Sequence, residues 1–251
     1  MNAAQPSQSP TSSTEFYDLV APIYDQYWGH QFFPDALNQF RRHLSPRVLP
    51  NARILDLCCG SGQFAAYLGA EGYSVVGVDS SPELLAQAAE RAPRAQLVRA
   101  DVSDFQLPER CDAAVCFFNA LNHARDQNEL RRICSSVASH LVPGGYFLFD
   151  LISESELSSW RSKEYVLSPD MLYELKYSWL PAARTAICRV RARARENPDY
   201  IEAEAFSEQR PIDVPVLEAA LRNAGFSVTF IKQFRRTSHP DGRLIVLAEK
   251  L

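Results

Sequence analysis

No run in the 251 residues is long and apolar enough to cross a bilayer, which takes about 20 residues, so a membrane-spanning helix is not expected. Metal-ligand spacing is missing as well. The six cysteines, at 58, 59, 111, 116, 134 and 188, form no paired motif and fall mostly inside apolar segments, as reduced packing thiols of a cytosolic protein do. Nor is there an excess of positive charge. With 26 Lys and Arg against 30 Asp and Glu the net charge is -4, which gives no global attraction to phosphate backbones and removes nucleic acid as the expected partner. Residues 1–14, rich in Ser, Pro and Gln, lack the apolar centre of a signal peptide and read as a disordered tail. What the chain does have is 46% hydrophobic residues, enough at this length to bury the core of one domain, or of one domain with an insertion.

The most informative stretch is Ile54-Leu55-Asp56-Leu57-Cys58-Cys59-Gly60-Ser61-Gly62-Gln63-Phe64, where an apolar strand passes into a helix through a glycine turn with an acid just before it. Gly60 and Gly62 let backbone approach a bound molecule closely, and alone they suit a nucleotide diphosphate at a helix N-terminus. Asp56 opposes that choice. A carboxylate at the strand end repels a diphosphate and attracts a ligand bearing an ammonium group. Two further strands end in acids: Ser74-Val75-Val76-Gly77-Val78 leads to Asp79-Ser80, and Gln96-Leu97-Val98-Arg99-Ala100 leads to Asp101-Val102. Strand and helix signals alternate from residue 53 onward, the pattern of a parallel sheet covered on both faces. Helices are expected at 63–70, at 82–91 behind Pro82, at 126–141 and at 216–223, the last stopped by Gly225. Further strands are expected at 113–119, 146–150, 227–234 and 244–248.

This arrangement resembles the class I, Rossmann-like S-adenosylmethionine-dependent methyltransferases of the small-molecule type. The resemblance covers most of residues 15–160, including the turn Pro143-Gly144-Gly145, and resumes near the C-terminus. It implies a doubly wound α/β fold whose mostly parallel seven-stranded sheet ends in an antiparallel strand. It also implies S-adenosylmethionine as cofactor and S-adenosylhomocysteine as product. The cofactor contacts it implies are Asp56, Cys58, Gly60 and Gly62 at the methionine part, Asp79 and Ser80 at the ribose, Asp101 and Val102 at the adenine, and Phe117 toward the end of the fourth strand. A dinucleotide-dependent oxidoreductase is the alternative, because Gly60-Ser61-Gly62-Gln63-Phe64-Ala65 fits G-x-G-x-x-A and Asp79 follows at a ribose distance. That reading does not ask for Asp56, Asp101 or the Pro-Gly-Gly turn. A cofactor-binding protein without turnover is a second alternative. Taken singly, Asp79 or Ser80 would serve as the cap of the helix opening at Pro82.

Residues 15–50 carry Tyr17, Tyr24 and Tyr27 or Trp28 along one helical face, with a break expected at Pro22. The run resembles the N-terminal cap of the family, so Tyr17 and Tyr24 are expected at the cofactor, in a helical lid whose rings shape the acceptor pocket and face the sulfonium. The core follows at 51–160 and closes at 212–251. Between them, residues 161–211 show a period of two without a helix and read as an antiparallel β insertion. Within it, Arg189, Arg191, Arg193 and Arg195 form a basic stripe. Folding about 196–199 sets Arg193 opposite Glu202 and Arg191 opposite Glu204, which neutralises the stripe locally. The other face, with Val190, Ala192, Ala194, Ile201, Ala203 and Ala205, is small and apolar, suited to cover the pocket or a neighbouring subunit in a homodimer.

Methyl transfer from a sulfonium is an in-line displacement that asks mainly for alignment and exclusion of water. A base helps when the acceptor is an amine or a hydroxyl. His123, in the segment Phe117-Phe118-Asn119-Ala120-Leu121-Asn122-His123 where the resemblance places the boundary between cofactor and acceptor, is the candidate catalytic residue; a surface or helix-capping role is the alternative. The absence of prolines from that segment counts against the enzymes that methylate exocyclic amines of bases. Cys116, with no proline before it, does not fit a nucleophile toward a pyrimidine carbon. The expected activity is methyl transfer to nitrogen or oxygen of a small molecule in the cytoplasm, with a layout like that of enzymes acting on amino sugars.

Overall fold

The strand Arg53–Leu57 (β1) packs Ile54 to one side and Leu55 and Leu57 to the other, as a central strand covered on both faces must. It lies at the middle of the fold in a computed structural model that describes residues 13–168, 171–196, 199–232 and 242–251. Beside it run Ser74–Asp79 (β2) and Gln96–Arg99 (β3) on one side, and Cys111–Cys116 (β4) and Leu141–Ile152 (β5) on the other, all parallel. Phe226–Lys232 (β10) and Arg243–Lys250 (β11) complete seven strands in the order β10-β11-β5-β4-β1-β2-β3, with β11 antiparallel to both neighbours. The doubly wound sheet and its antiparallel last strand are as the motif order implies.

The helices before and between the strands are Ser13–Tyr24 (α1), His30–Gln39 (α2), Gln63–Ala70 (α3), Pro82–Arg91 (α4), Gln127–Ser139 (α5), Glu154–Ser159 (α6) and Val214–Asn223 (α7). Leu130, Ile133, Cys134 and Val137 of α5 and Leu217 and Leu221 of α7 cover one face of the sheet, while Phe40, Leu44, Phe64 and Leu68 cover the other. Two details differ from expectation. Pro143-Gly144-Gly145 is no turn before a strand: it lies within β5, where the register with β4 shifts between Cys111 and Ala113. And α1 does not break at Pro22. Phe16, Val20 and Ile23 pack along its length, so tertiary burial holds the helix to Tyr24, after which it widens into a π turn over Asp25–Gly29.

The insertion is a separate four-stranded antiparallel sheet of Lys163–Ser168 (β6), Met171–Leu180 (β7), Thr185–Glu196 (β8) and Asp199–Gln209 (β9). Its β8–β9 register is the expected one, with Arg193 opposite Glu202, Arg191 opposite Glu204 and Val190 opposite Ala205. Arg193 pairs with Glu202 at 2.6 Å, and Arg191 and Arg189 both reach Glu204 at 3.5 Å. The apolar face, however, is largely taken. Tyr173, Leu175, Val190, Ala192 and Ala205 pack against Phe16, Val20 and Ile23 of α1, so the insertion holds the lid of its own chain rather than offering that face to a second one. Among the described residues no helix is long and apolar enough to cross a membrane.

Candidate active site

At the end of β1 the chain turns through three left-handed residues, Cys58 (φ +53°), Gly60 (φ +53°) and Gly62 (φ +76°), before α3 begins. Asp79, at the end of the neighbouring β2, holds this turn. One carboxylate oxygen accepts from Gly60 N at 2.9 Å and the other from Ser81 N at 2.9 Å. Helix α4 is capped by Ser81, which accepts from Leu84 N at 3.1 Å, and not by Asp79 or Ser80. Burial pushes the Asp79 carboxyl above its ordinary range, against the pull of these backbone amides.

Asp56 is different. It is 4% exposed, and one carboxylate oxygen has no hydrogen-bond partner among the described residues. Burial first, and then the neighbouring charge of Asp79, push its pKa up to about 8, while a backbone hydrogen bond from Ala65 pulls it down. A buried acceptor left without a donor is unfavourable unless a ligand supplies one. An ammonium group would both satisfy this oxygen and favour the charged form of the carboxyl.

A small pocket opens here, and Tyr24, Asp56, Cys58, Ser61, Gln63 and Phe117 are among its lining. Four of the expected cofactor residues therefore meet: Tyr24, Asp56, Cys58 and Phe117. Tyr24 brings its ring within 3.6 Å of where a side chain on Gly60 would start. The lid is fastened to the turn by groups that local sequence reading did not single out. Asp25 accepts from Ser61 Oγ and pairs with Arg91, which also donates to the Ser61 carbonyl at 2.8 Å. Asp18 accepts from Ser81 Oγ at 2.5 Å, and Gln87 donates to Ala21 O at 2.9 Å. Ser80 is engaged by Thr14 at 2.9 Å. Asp101 and Val102 are not in this lining; Asp101 is exposed beyond β3 and accepts from Ser103 N and Oγ, each at 2.7 Å.

The second half of the site lies past β4. Phe118 (φ +64°) and Asn119 (φ +53°) are consecutive left-handed residues, a strained conformation that a structure retains only where its surroundings enforce it. Asn119 N donates to Asp150 Oδ1 at 3.0 Å, and Asp150 forms a buried ion pair with Arg243. His123 is half-buried at the end of a short 3-10 turn, Ala120–His123, and does not cap a helix. Its Nε2 is 2.9 Å from Tyr17 Oη and 3.0 Å from Gln209 Nε2, joining lid, core and insertion at one ring. Burial holds its pKa down to about 4, with Arg210 reinforcing and a backbone hydrogen bond at Glu208 opposing, so the ring is neutral at physiological pH. Burial likewise raises Tyr17 and Tyr24 well above the ordinary phenol range, which keeps both hydroxyls protonated. The rings of Tyr17 and Tyr24 are 6.1 Å apart, linking His123 to the pocket at Asp56. A further pocket shares Phe117 and Phe118 and is bounded by Phe32, Asp35, Asp150 and Arg243. Of the residues missed, Asp150 had a signal, as a fourth acid at a strand end. Gln209 and Arg243 had none, because only the tertiary fold brings them to Asn119.

Residues 54–145 match the methyltransferase domain family. YqeM of Bacillus subtilis (strain 168), named provisionally as a methyltransferase, is 25% identical over 225 residues, 84% of this chain and 87% of that protein. The dTDP-3-amino-3,6-dideoxy-alpha-D-glucopyranose N,N-dimethyltransferase of Streptomyces fradiae is 34% identical over 131 residues, 52% of this chain; the match spans 49%, about half, of that enzyme's length. In fold, the chain superimposes on the sugar N-methyltransferase KedS8 from Streptoalloteichus with a TM-score of 0.77 at 20% identity, over 100% of this chain and 98% of the other. Residues 54–145 thus match a methyltransferase domain, and the whole chain shares the Rossmann-like fold of a solved sugar N-methyltransferase.

Proposed function

We propose that this chain transfers a methyl group from S-adenosylmethionine to a nitrogen or oxygen of a small molecule, with amino sugars as the favoured acceptor class. The observation that carries the cofactor half is the unpartnered oxygen of buried Asp56 beside the glycine turn. The acceptor class rests on what the sugar-modifying relatives act on. When bound, the cofactor supplies an electrophilic methyl group on a sulfonium. Asp56 receives the ammonium, Gly60 and Gly62 let the backbone close on the methionine part, and Cys58, Tyr24 and Phe117 wall it. Asp79 with Ser80 serves the ribose and Asp101 with Val102 the adenine, the lid 15–50 excludes water over the core 51–160 and 212–251, and the insertion 161–211 backs the lid.

Proton transfer falls to His123 and Tyr17. With the lone pair of His123 on Nε2, 2.9 Å from Tyr17 Oη, the Tyr17 hydroxyl donates to it and keeps an oxygen lone pair to accept from the acceptor's N–H or O–H. As that proton moves to Tyr17 O, the Tyr17 proton moves to His123 Nε2, and the tyrosine ends neutral as it began. The same reading places the protein in the cytoplasm, where six free thiols persist, and gives it no nucleic-acid partner. Self-association, if it uses the insertion, would use the sheet edges β6 and β9 and the 53% exposed Ile201, since α1 takes the apolar face.

The test is to incubate the chain with S-adenosylmethionine and a panel of amino sugars, hydroxy sugars and small amines, scoring S-adenosylhomocysteine and the mass of the methylated product. Turnover is expected with an amine, and His123→Ala is expected to lower kcat roughly 100-fold with cofactor affinity unchanged. Full turnover by His123→Ala would remove His123 as the base. Cofactor binding with no turnover on any acceptor would favour a binding protein.

A further inference from the structure

Resting on the reading of His123 as proton acceptor, we propose that Arg243, Asn119 and Gln209 form a one-way chain of hydrogen-bond donors that fixes the tautomer of His123, with Gln209 as its positioning residue. The direction of the chain follows from its first member. A guanidinium only donates, and Arg243 is anchored by its buried pair with Asp150. Its Nη2 lies 3.4 Å from Asn119 Oδ1, so Asn119 presents Nδ2 on its other side, 2.8 Å from Gln209 Oε1. Gln209 then has only its NH2 left for His123, and the two nitrogens are 3.0 Å apart. An amide NH2 cannot accept, so His123 Nε2 carries the lone pair and its proton sits on Nδ1. That assignment fits the opposite side of the ring. Nδ1 is 3.4 Å from Ser207 Oγ, and the ring makes a backbone hydrogen bond at Glu208. The Nε2 lone pair is thus shared by Gln209 and Tyr17, which is what proton relay through Tyr17 requires.

The strained backbone gains a purpose in this arrangement. With φ at +53° and its N–H held by Asp150, Asn119 stands between Arg243 and Gln209, in a conformation that Asn adopts more readily than most residues. Asn122 fixes the other end. Its Nδ2 donates to Ile152 O at 3.0 Å and to Arg210 O at 2.8 Å, and Arg210 N donates back to Asn122 O at 2.7 Å, so the end of β9 is tied beside the end of β5. The titratable and charged groups facing His123 are Tyr17 from α1, Arg210 just after β9, and its partner Glu208 near the end of β9. The Asp150–Arg243 pair acts on the ring only through Asn119 and Gln209.

Imidazole nitrogen NMR on histidine-labelled protein tests this without turnover; the chain has five histidines, and His123→Gln assigns the signal. Wild-type His123 should show a protonated Nδ1 and a bare Nε2, with no titration above pH 5. Gln209→Leu removes the donor and should raise the titration midpoint by about one unit, and Gln209→Glu, with a carboxylate beside Nε2, should raise it by two or more. Both variants should lower kcat at least 10-fold, with the KM for S-adenosylmethionine unchanged, and Gln209→Glu should move the acid limb of the pH profile with the NMR midpoint. A wild-type ring protonated at Nε2, or an unmoved midpoint in Gln209→Glu, would overturn the proposal. Full turnover in His123→Ala would instead overturn the base, leaving the tautomer as measured, so the two failures are distinguishable.

Discussion

Asp56→Asn should make the ligand-free protein more stable and nearly abolish cofactor binding. The buried carboxyl titrates near pH 8 in the folded chain against an ordinary value of 3.8, so between those limits the folded state holds more protons than the unfolded one. Stability is therefore lost as pH rises from about 4 through about 8, and asparagine, which cannot ionise, escapes the loss. The full difference would amount to roughly 6 kcal/mol at 1.36 kcal/mol per pKa unit; relaxation around the site, and an Asn NH2 that is itself short of an acceptor, reduce the expected gain to about 2 kcal/mol at pH 8. For a domain of this size that is a Tm increase of roughly 4–8 °C at pH 8, shrinking toward zero at pH 4–5. The same variant removes the charge partner of the ammonium in a desolvated pocket and should weaken S-adenosylmethionine binding about 100-fold or more, some 2.7 kcal/mol. Melting curves at pH 5 and pH 8, paired with titrations, check both halves. A variant less stable than wild type at pH 8 would mean that Asp56 has a structural partner rather than a missing ligand.

Gly62→Ala should cost the fold heavily. Gly62 sits at φ +76°, where an L side chain is strained by about 1–2 kcal/mol. Its added methyl would also stand 2.8 Å from both Cα and Cβ of Ala88, a fully buried residue of α4. Backbone cannot swing aside as the tip of a side chain does, so α4 must shift away from α3, adding an overpacking cost of about 1–3 kcal/mol. Urea or thermal unfolding should show a loss of roughly 3 kcal/mol, or a Tm lower by about 6–12 °C. A Tm within 2 °C of wild type would mean that the turn is looser than its geometry states. The glycine thus serves the packing of α3 on α4 as well as access for a ligand.

Much of this was legible because it is local. The glycine turn with Asp56 just before it, and the acids at the end of β2 and after β3, each lie in one short segment where period and turn rules apply directly, whereas the cap of α4 is Ser81 and not the Asp79 or Ser80 that the sequence offered. The β8–β9 register could be read for the same reason, since a short loop fixes which arginine meets which glutamate. The lid was legible as a helix, but not in its course past Pro22, because the burial of Val20 and Ile23 against the insertion outweighs the missing donor. The apolar face of β8 and β9 was recognised, yet its occupant was not, as only the tertiary fold shows that α1 covers it. The chain from Arg243 through Asn119 and Gln209 to His123 joins residues up to 124 positions apart, and nothing in either neighbourhood announces it. Asp18 and Asp25 fasten the lid through Ser81, Ser61 and Arg91, partners that only the tertiary fold brings to them.

Calorimetric titration of the wild-type chain with S-adenosylmethionine at pH 7, in two buffers of different ionisation enthalpy, reads the cofactor and the proton on Asp56 together. Binding in the micromolar range is expected, with release of close to one proton as the carboxyl ionises against the ammonium, and NADH should give no heat. No binding of S-adenosylmethionine, or binding without proton release together with binding of NADH, would contradict a cofactor site built on Asp56.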